Sequence, residues 1–254
     1  MNAPSDELHR AVERLRSGEL VALPTETVYG LGADAANENA VAKIFAAKGR
    51  PADHPLIVHV AKNVKLETWA VEIPRIAKKL TDAFWPGPLT LILKKSERIP
   101  MAVTGGQNTV GLRCPAHPLA QLLLTEFAKV GSGIIAAPSA NKFGHISPTT
   151  AQHVYAEFGD GLLILDGGPC EVGIESTILD LSRMRSLKRP VLLRPGAITA
   201  KMIAAIIGDT PLQADDAPTA TLKSSTAGAP RVSGSLAAHY APKTPLRLLK
   251  AKQL

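Results

Sequence analysis

Four cations stand where regular structure is expected to stop: Lys48, Arg50, Arg113 and Arg194. Arginine at such positions suits bidentate contact with phosphate or carboxylate. Lys48-Gly49-Arg50-Pro51 sets two of them beside a flexible and a rigid residue. Taken alone that run reads equally well as a solvated basic turn, and any single one of the four reads as readily as a surface ion-pair partner. Hydroxyls and amides collect at similar places. Thr25-Glu26-Thr27 follows a strand stop at Pro24, Ser139 and Asn141 follow Pro138, and Ser176-Thr177 opens a strand. Backbone N–H groups at such boundaries can form anion-binding nests, although Ser, Thr and Asn also cap turns there routinely.

The chain has no GxxxxGK(S/T) run and no GxGxxG after a strand, so P-loop and Rossmann phosphate sites are absent. A nucleotide would have to be held by scattered cations and hydroxyls. Ser139 sits in Pro-Ser-Ala-Asn, which is not a GxSxG elbow and has no evident base beside it. Covalent serine chemistry is therefore disfavoured. His59 lies in an apolar run, where a structural histidine is the default. His54 and His145 lie in loops with no Cys or carboxylate at ligand spacing, so no metal site is read.

The elements that must position these groups follow from periodicity and punctuation. Ser5 caps a helix carrying Leu8, Val12 and Leu15, which ends near Gly18. Glu19–Leu23 reads as a strand. Gly30 and Gly32 then mark close backbone approach or positive φ. Asn37 is the expected N-cap of a helix with Val41, Ile44 and Phe45 on one face, and Leu56-Ile57-Val58 begins the next strand. An amphipathic helix is predicted over 73–84 with Ile76, Leu80 and Ala83 inward, broken by Trp85-Pro86-Gly87-Pro88. Strands follow at 89–93, 109–112, 134–137, 162–165, 176–181 and 191–193. Helices follow at Leu119–Leu124, from Ser147-Pro148-Thr149, and over 199–207. Ser139, Ala140 and Asn141 are expected exposed in a tight loop. Alternating strands and helices argue for an α/β fold, and connections too short for a helical crossover argue for a mixed parallel/antiparallel sheet.

Length and composition agree with one large domain plus a tail. At 254 residues and 45% hydrophobic the chain can bury a full core. It has no run of about 18 apolar residues, so a membrane span is not expected. Its polar N-terminus is unlike a secretory signal. Two cysteines without a CxxC pair argue against a zinc ribbon or disulfide framework and fit a reducing, cytoplasmic setting. A net charge of +7 favours polyanions, nucleotides or RNA, while 4% aromatics give few base-stacking platforms. From Gly208 the composition turns Ala-, Pro-, Thr-, Ser- and Gly-rich, and 208–235 reads as a linker before the distinct run GSLAAHYAP.

Read together, PTETVYGLG at 24–32, KGRP at 48–51, FWPGPLTLIL at 84–93, TVGLRCPAH at 109–117, APSANKFGHISPTTAQHV at 137–154, LDGG at 165–168, GIESTILDL at 173–181 and LLRPGAI at 192–198 resemble the YrdC/Sua5 family. That family makes threonylcarbamoyl-adenylate for tRNA modification. The resemblance covers nearly all of residues 8–206. It implies a twisted mixed sheet with surrounding helices and a large basic cavity in a catalytic domain over 1–207. It also implies a reaction in which L-threonine and bicarbonate (or CO₂) form a carbamate. The carbamate attacks the ATP α-phosphate and expels pyrophosphate, and a tRNA-modifying transferase consumes the product. By motif position Thr27, His59, Arg113, Ser139 and Ser176 would surround threonine. Arg50, His54, Thr109, Asn141, Thr149 and Arg194 would line ATP, with Lys48 beside the phosphates and Tyr240 or His239 reaching in from the tail. Lys48, Arg50 and Arg194 would carry the catalytic charge neutralisation, and Mg²⁺ would arrive with the triphosphate. His54 departs from relatives that carry Asn there. Residues 208–254 read as a linker or lid leading to a second domain that this chain lacks. Two other readings stay open: a non-enzymatic factor using a basic surface on RNA, and a carbamoyl-transfer module like that of hydrogenase-maturation proteins. The second of these lacks its zinc-finger-like cysteines here.

Overall fold

The computed structural model describes residues 3–216, 229–232, 242 and 244. In chain order the elements are α1 (Ala3–Arg16), β1 (Val21–Leu23), β2 (Gly30–Asp34), α2 (Glu38–Lys48), β3 (Ile57–Val60), β4 (Ala70–Val71), α3 (Arg75–Phe84), β5 (Leu89–Lys95), α4 (Met101–Thr104), β6 (Thr109–Arg113), α5 (Pro118–Val130), β7 (Ile134–Ala136), α6 (Ala151–Phe158), β8 (Leu163–Ile164), β9 (Thr177–Asp180), α7 (Met184–Leu187), β10 (Val191–Arg194), α8 (Ala200–Ile207) and β11 (Leu212–Gln213). The strands form one mixed sheet in the order β11-β10-β9-β5-β6-β3-β7-β2-β1-β8, with β4 on β5. Parallel pairs (β1–β8, β3–β6, β5–β9, β10–β11) alternate with antiparallel ones, as the short connections require.

Strand alternation divides the core. Val21 and Leu23 of β1 face α1 and α5, packing with Leu15, Leu123 and Phe127, whereas Ala22 between them joins Leu31, Ile44 and Val58 on the opposite face. Strand β2 was not expected, since its Gly30-Leu31-Gly32 run lacks the branched and aromatic residues that favour strands. It forms because β1 and β7 pair with it from both sides. Neither glycine takes a positive φ; close approach is what they supply. A Cβ on Gly32 would lie 2.8 Å from Leu23 Cδ2 and 2.9 Å from Ile135 Cγ2.

Helix α2 begins where Asn37 Oδ1 accepts the N–H groups of Asn39 and Ala40 at 3.1 and 3.2 Å. It ends at Gly49, whose φ of 65° lets its N–H return to Ala46 O, which fixes Lys48 and Arg50 at the turn. Val41, Ile44 and Phe45 are buried as their spacing predicts. In α3 the inward stripe is Ala77 and Leu80, with Ile76 and Phe84 partly buried; Ala83 is exposed, contrary to its expected place. Phe84 stands one turn on from Leu80 and occupies that role instead. His117 caps α5 by accepting the Leu119 N–H on Nδ1 at 3.2 Å. The next helix, α6, is capped by Thr150, so Ser147-Pro148-Thr149 precedes it and does not start it. Strand β11 pairs with β10, so the sheet continues past the expected boundary at residue 207 into the stretch read as linker.

Candidate functional site

Sheet register assembles the site. His59 of β3 is paired with Ile135 of β7 and lies level with Arg113 of β6. Arg113 faces Thr90 of β5, which lies level with Ile178 of β9, and Ile178 faces Arg194 of β10. Residues paired across strands share a face, so one row carries an imidazole, a guanidinium, a hydroxyl and a second guanidinium. Helices α1 and α5 cover this face over β1, β2 and β7. Farther along, it floors a cleft lined by Thr25, Arg50, His59, Arg113, Ser139, Glu175 and Arg194 among others.

Each cation arrives with partners. Arg113 donates from Nη2 to Glu26 Oε1 at 2.8 Å, and both side chains are almost fully buried. Arg194 donates from Nε to Ser176 O at 3.0 Å and from Nη2 to Ser176 Oγ at 3.1 Å, with Glu175 Oε2 3.6 Å away. Arg50 Nη2 donates to Pro55 O at 2.9 Å. Three arginines therefore meet two carboxylates, and the cleft is less positive than the cations alone suggest. Such pairing keeps buried charge tolerable. His59 is 2% exposed, and burial, reinforced by the Arg113 charge, pulls its pKa down to about 3. It is a neutral imidazole at physiological pH. Buried His59 Nδ1 and Arg113 Nε have no hydrogen-bond partner among the described residues. Unsatisfied buried polar atoms are rare and costly, and these two stand enclosed in the wall of the cleft.

Of the residues expected from sequence, Arg50, His59, Arg113, Ser139 and Arg194 line this cleft. Thr27 and Ser176 lie fully buried behind it, on Thr25 Oγ1 at 2.9 Å and Thr90 Oγ1 at 2.8 Å. Thr109 lines an adjoining cavity with Ile57, Gly111 and Arg231. There residues 229–232 return to the sheet: Arg231 N–H meets Gln107 Oε1 at 2.7 Å, and its guanidinium reaches Gly105 O and Asp53 Oδ2 at 2.7 and 3.1 Å.

Four of the expected residues lie off the cleft lining. Lys48 is 3% exposed and does not line the cleft; its Nζ donates to the carbonyls of Ser139 and Asn141. Burial, then the Arg50 charge, lowers its pKa to about 7. Asn141 is 2% exposed, not displayed in a loop, and its Nδ2 donates to Lys142 O and His145 O at 2.7 and 2.9 Å. Thr149 lies 3.4 Å from His153 Nδ1, off the cleft. His54 packs edge-on against Phe143 at 5.6 Å, also off the cleft lining; burial and Arg50 lower its pKa. Tyr240 and His239 lie outside the described residues. Glu26 and Glu175 were missed as site residues, although each sits inside a hydroxyl-rich run, PTET and GIEST, where a lone carboxylate is the available signal. Among the described residues no group of three or more His, Cys, Asp or Glu is arranged to hold a metal, and no helix is long and apolar enough to cross a membrane.

The Sua5–YciO–YrdC family model, described as "Telomere recombination", matches residues 13–196, and the chain belongs to this family. A second family model, "Threonylcarbamoyl-AMP synthase, C-terminal domain", matches 198–254, which takes in the 208–254 stretch read as linker or lid together with α8. The chain is 50% identical over 230 residues to the threonylcarbamoyl-AMP synthase of Pyrococcus abyssi, covering 90% of this chain and 63% of that protein. It is 47% identical to the Bacillus subtilis protein of the same name, covering 95% and 66%. The crystal structure of P. abyssi Sua5 complexed with L-threonine superposes with a TM-score of 0.79 at 47% identity, over 92% of this chain and 65% of that one. The chain thus spans just under two thirds of the curated relatives it matches.

Proposed function

We propose that this chain forms threonylcarbamoyl-AMP from L-threonine, bicarbonate or CO₂ and ATP, releasing pyrophosphate, as a nucleotidyltransferase. The observation that carries the reading is the cross-strand row, which sets the neutral imidazole of His59 and the guanidinium groups of Arg113 and Arg194 in one cleft, where Arg50 joins them from the turn after α2. The 50% identity to a relative named for this activity supports it independently. Such a reaction needs alignment and charge neutralisation more than a covalent nucleophile. The threonine amine adds to CO₂ to give a carbamate. A carbamate oxygen then attacks the α-phosphorus, and the bond to pyrophosphate breaks.

In this reading Arg113 takes the amino-acid carboxylate, with His59 and Ser139 around the rest of threonine and Thr27 and Ser176 bracing the wall. Arg50 and Arg194 flank the phosphates. Lys48 acts through the Ser139–Asn141 loop instead of touching phosphate. Thr109 faces the nucleotide from the adjoining cavity, Asn141 would hold the loop after Ser139 through Lys142 O and His145 O, and His54 and Thr149 stand off the cleft lining. Mg²⁺ would be held chiefly by the triphosphate and its own waters, and Glu175 is the one cleft-lining carboxylate among the described residues that suits it. The tail beyond β11, Tyr240 included, would close over ATP. The product would pass to a tRNA-modifying transferase in the cytoplasm, and the +7 charge would favour transient RNA contact. Pyrophosphate release measured with each substrate omitted in turn tests this. Release should need both threonine and bicarbonate, and equal release without threonine would falsify the reading.

A further inference from the structure

We propose that Glu26 is a positioning residue that aims Arg113 into the cleft. The inference rests on the reading of Arg113 as the partner of the amino-acid carboxylate. Glu26 lies in the turn between β1 and β2, does not line the cleft, and is 5% exposed. Its two carboxylate oxygens do different work. Oε1 accepts from Arg113 Nη2 at 2.8 Å, and Oε2 accepts the Ala116 N–H at 2.9 Å. One side chain thus ties the head of Arg113 to the backbone three residues later, at the loop where β6 gives way to α5. Thr25 Oγ1 adds a longer contact to the same Nη2 at 3.4 Å.

A guanidinium has five N–H donors in a rigid fork. With Nη2 committed to Glu26 and Nε enclosed, the orientation of the fork is set, and the rest of it is left to the cleft that Arg113 lines. A flexible arginine would have to lose that freedom on binding; here it is lost on folding, which is preorganisation. Glutamine at position 26 cannot serve both partners. If its oxygen keeps the Ala116 N–H, its amide nitrogen opposes the Arg113 donor.

Calorimetry of L-threonine and of ATP binding to the full chain, parent against Glu26→Gln, separates the roles. The positioning role is expected to weaken threonine at least tenfold and leave ATP within twofold. In an Arg113→Met background Glu26→Gln should add no further loss. Equal weakening of both ligands, or a full additional loss in that background, means Glu26 is only structural and overturns the proposal. The Arg113 Nε–H resonance, assigned by its absence in Arg113→Lys, should be sharp in the parent and averaged in Glu26→Gln; an unchanged signal also overturns it. If the parent itself binds no threonine, the functional reading fails and this resonance alone decides the positioning claim. Should Glu26→Gln not fold, Glu26→Asp, one methylene too short to span both partners, takes its place with the same expected results.

Discussion

Arg50 and Arg194 both stand in the cleft, yet their removal should differ. Losing a charge-assisted contact to a developing phosphate charge costs about 2–4 kcal/mol of transition-state stabilisation, or roughly 100- to 1,000-fold in rate. Arg50→Ala should show that fall in kcat/KM with a modest loss of Tm, since the Pro55 carbonyl gives up its bond to Arg50 Nη2. Arg194→Ala should show it too, but with a clear loss of stability, because Arg194 also satisfies the Ser176 carbonyl and hydroxyl. From sequence both looked like element-end residues that would spare stability; at 8% and 7% exposure neither is peripheral. An Arg50→Ala protein that melts early and keeps parental kcat/KM would make that residue structural. His59 carries a prediction about acid. Its pKa is about 3 when folded against an ordinary value near 6.5. Between those values the unfolded chain binds the extra proton, so stability is fully present above about 6.5 and is lost as pH falls towards 3. The limiting slope is about 1.4 kcal/mol per pH unit. Urea titrations across this window should show a steeper loss in the parent than in His59→Asn, and parallel curves would remove His59 as the cause.

At the scale of elements, the Pro138–Asn141 turn is held by a helix end. Gly49 stops α2 so that Lys48 points back beneath the turn and spans two of its carbonyls. Ammonium and neutral amine can both donate there, so the pKa near 7 does not release the contact. Lys48→Met would strip the Asn141 carbonyl of its donor, at about 1–3 kcal/mol, while the Ser139 carbonyl would keep the Asn141 N–H at 3.0 Å. We expect Tm to drop by several degrees and folded-state activity to fall, since Ser139 lies on that turn. A Met variant with parental Tm and parental threonine affinity would show that the turn supports itself. The same logic explains β2. Its glycines sacrifice strand propensity so that Leu23 and Ile135 can close over Gly32 beside the cleft.

Across the whole molecule, the row from His59 to Arg194 joins strands more than a hundred residues apart in sequence. Its outer end depends on β11, which pairs with β10, the strand carrying Arg194. A cut after Ile207 would disturb the site itself, so the tail is better tested by ending the chain after Asp216. That cut also removes Arg231 and its contacts to Gln107, Gly105 and Asp53 beside the Thr109 cavity. If the tail closes over the nucleotide, the shortened chain and Tyr240→Ala should each bind ATP about tenfold more weakly, near 1.4 kcal/mol. Parental affinity in both would make the tail a tether.

What the sequence by itself determined were the features written locally. Asn37 and Thr199 announced helix starts, Gly18 and Gly49 helix stops, and the apolar run Val21-Ala22-Leu23 closed by Pro24 a strand. The chemical types at strand ends, Arg113, Ser139 and Arg194 among them, were legible too, because a charge or hydroxyl just past an apolar run is a short-range signal. Register was not. Which residue of β5 stands beside which residue of β9 depends on pairing over a separation that no local periodicity encodes, and only the folded sheet puts His59, Arg113, Thr90 and Arg194 in line. Burial of polar groups was hidden for the same reason. Lys48 reads as a surface cation until the Ser139–Asn141 carbonyls, some ninety residues away, close over it, and Glu26 reads as a turn carboxylate until β6 brings Arg113 to within 2.8 Å.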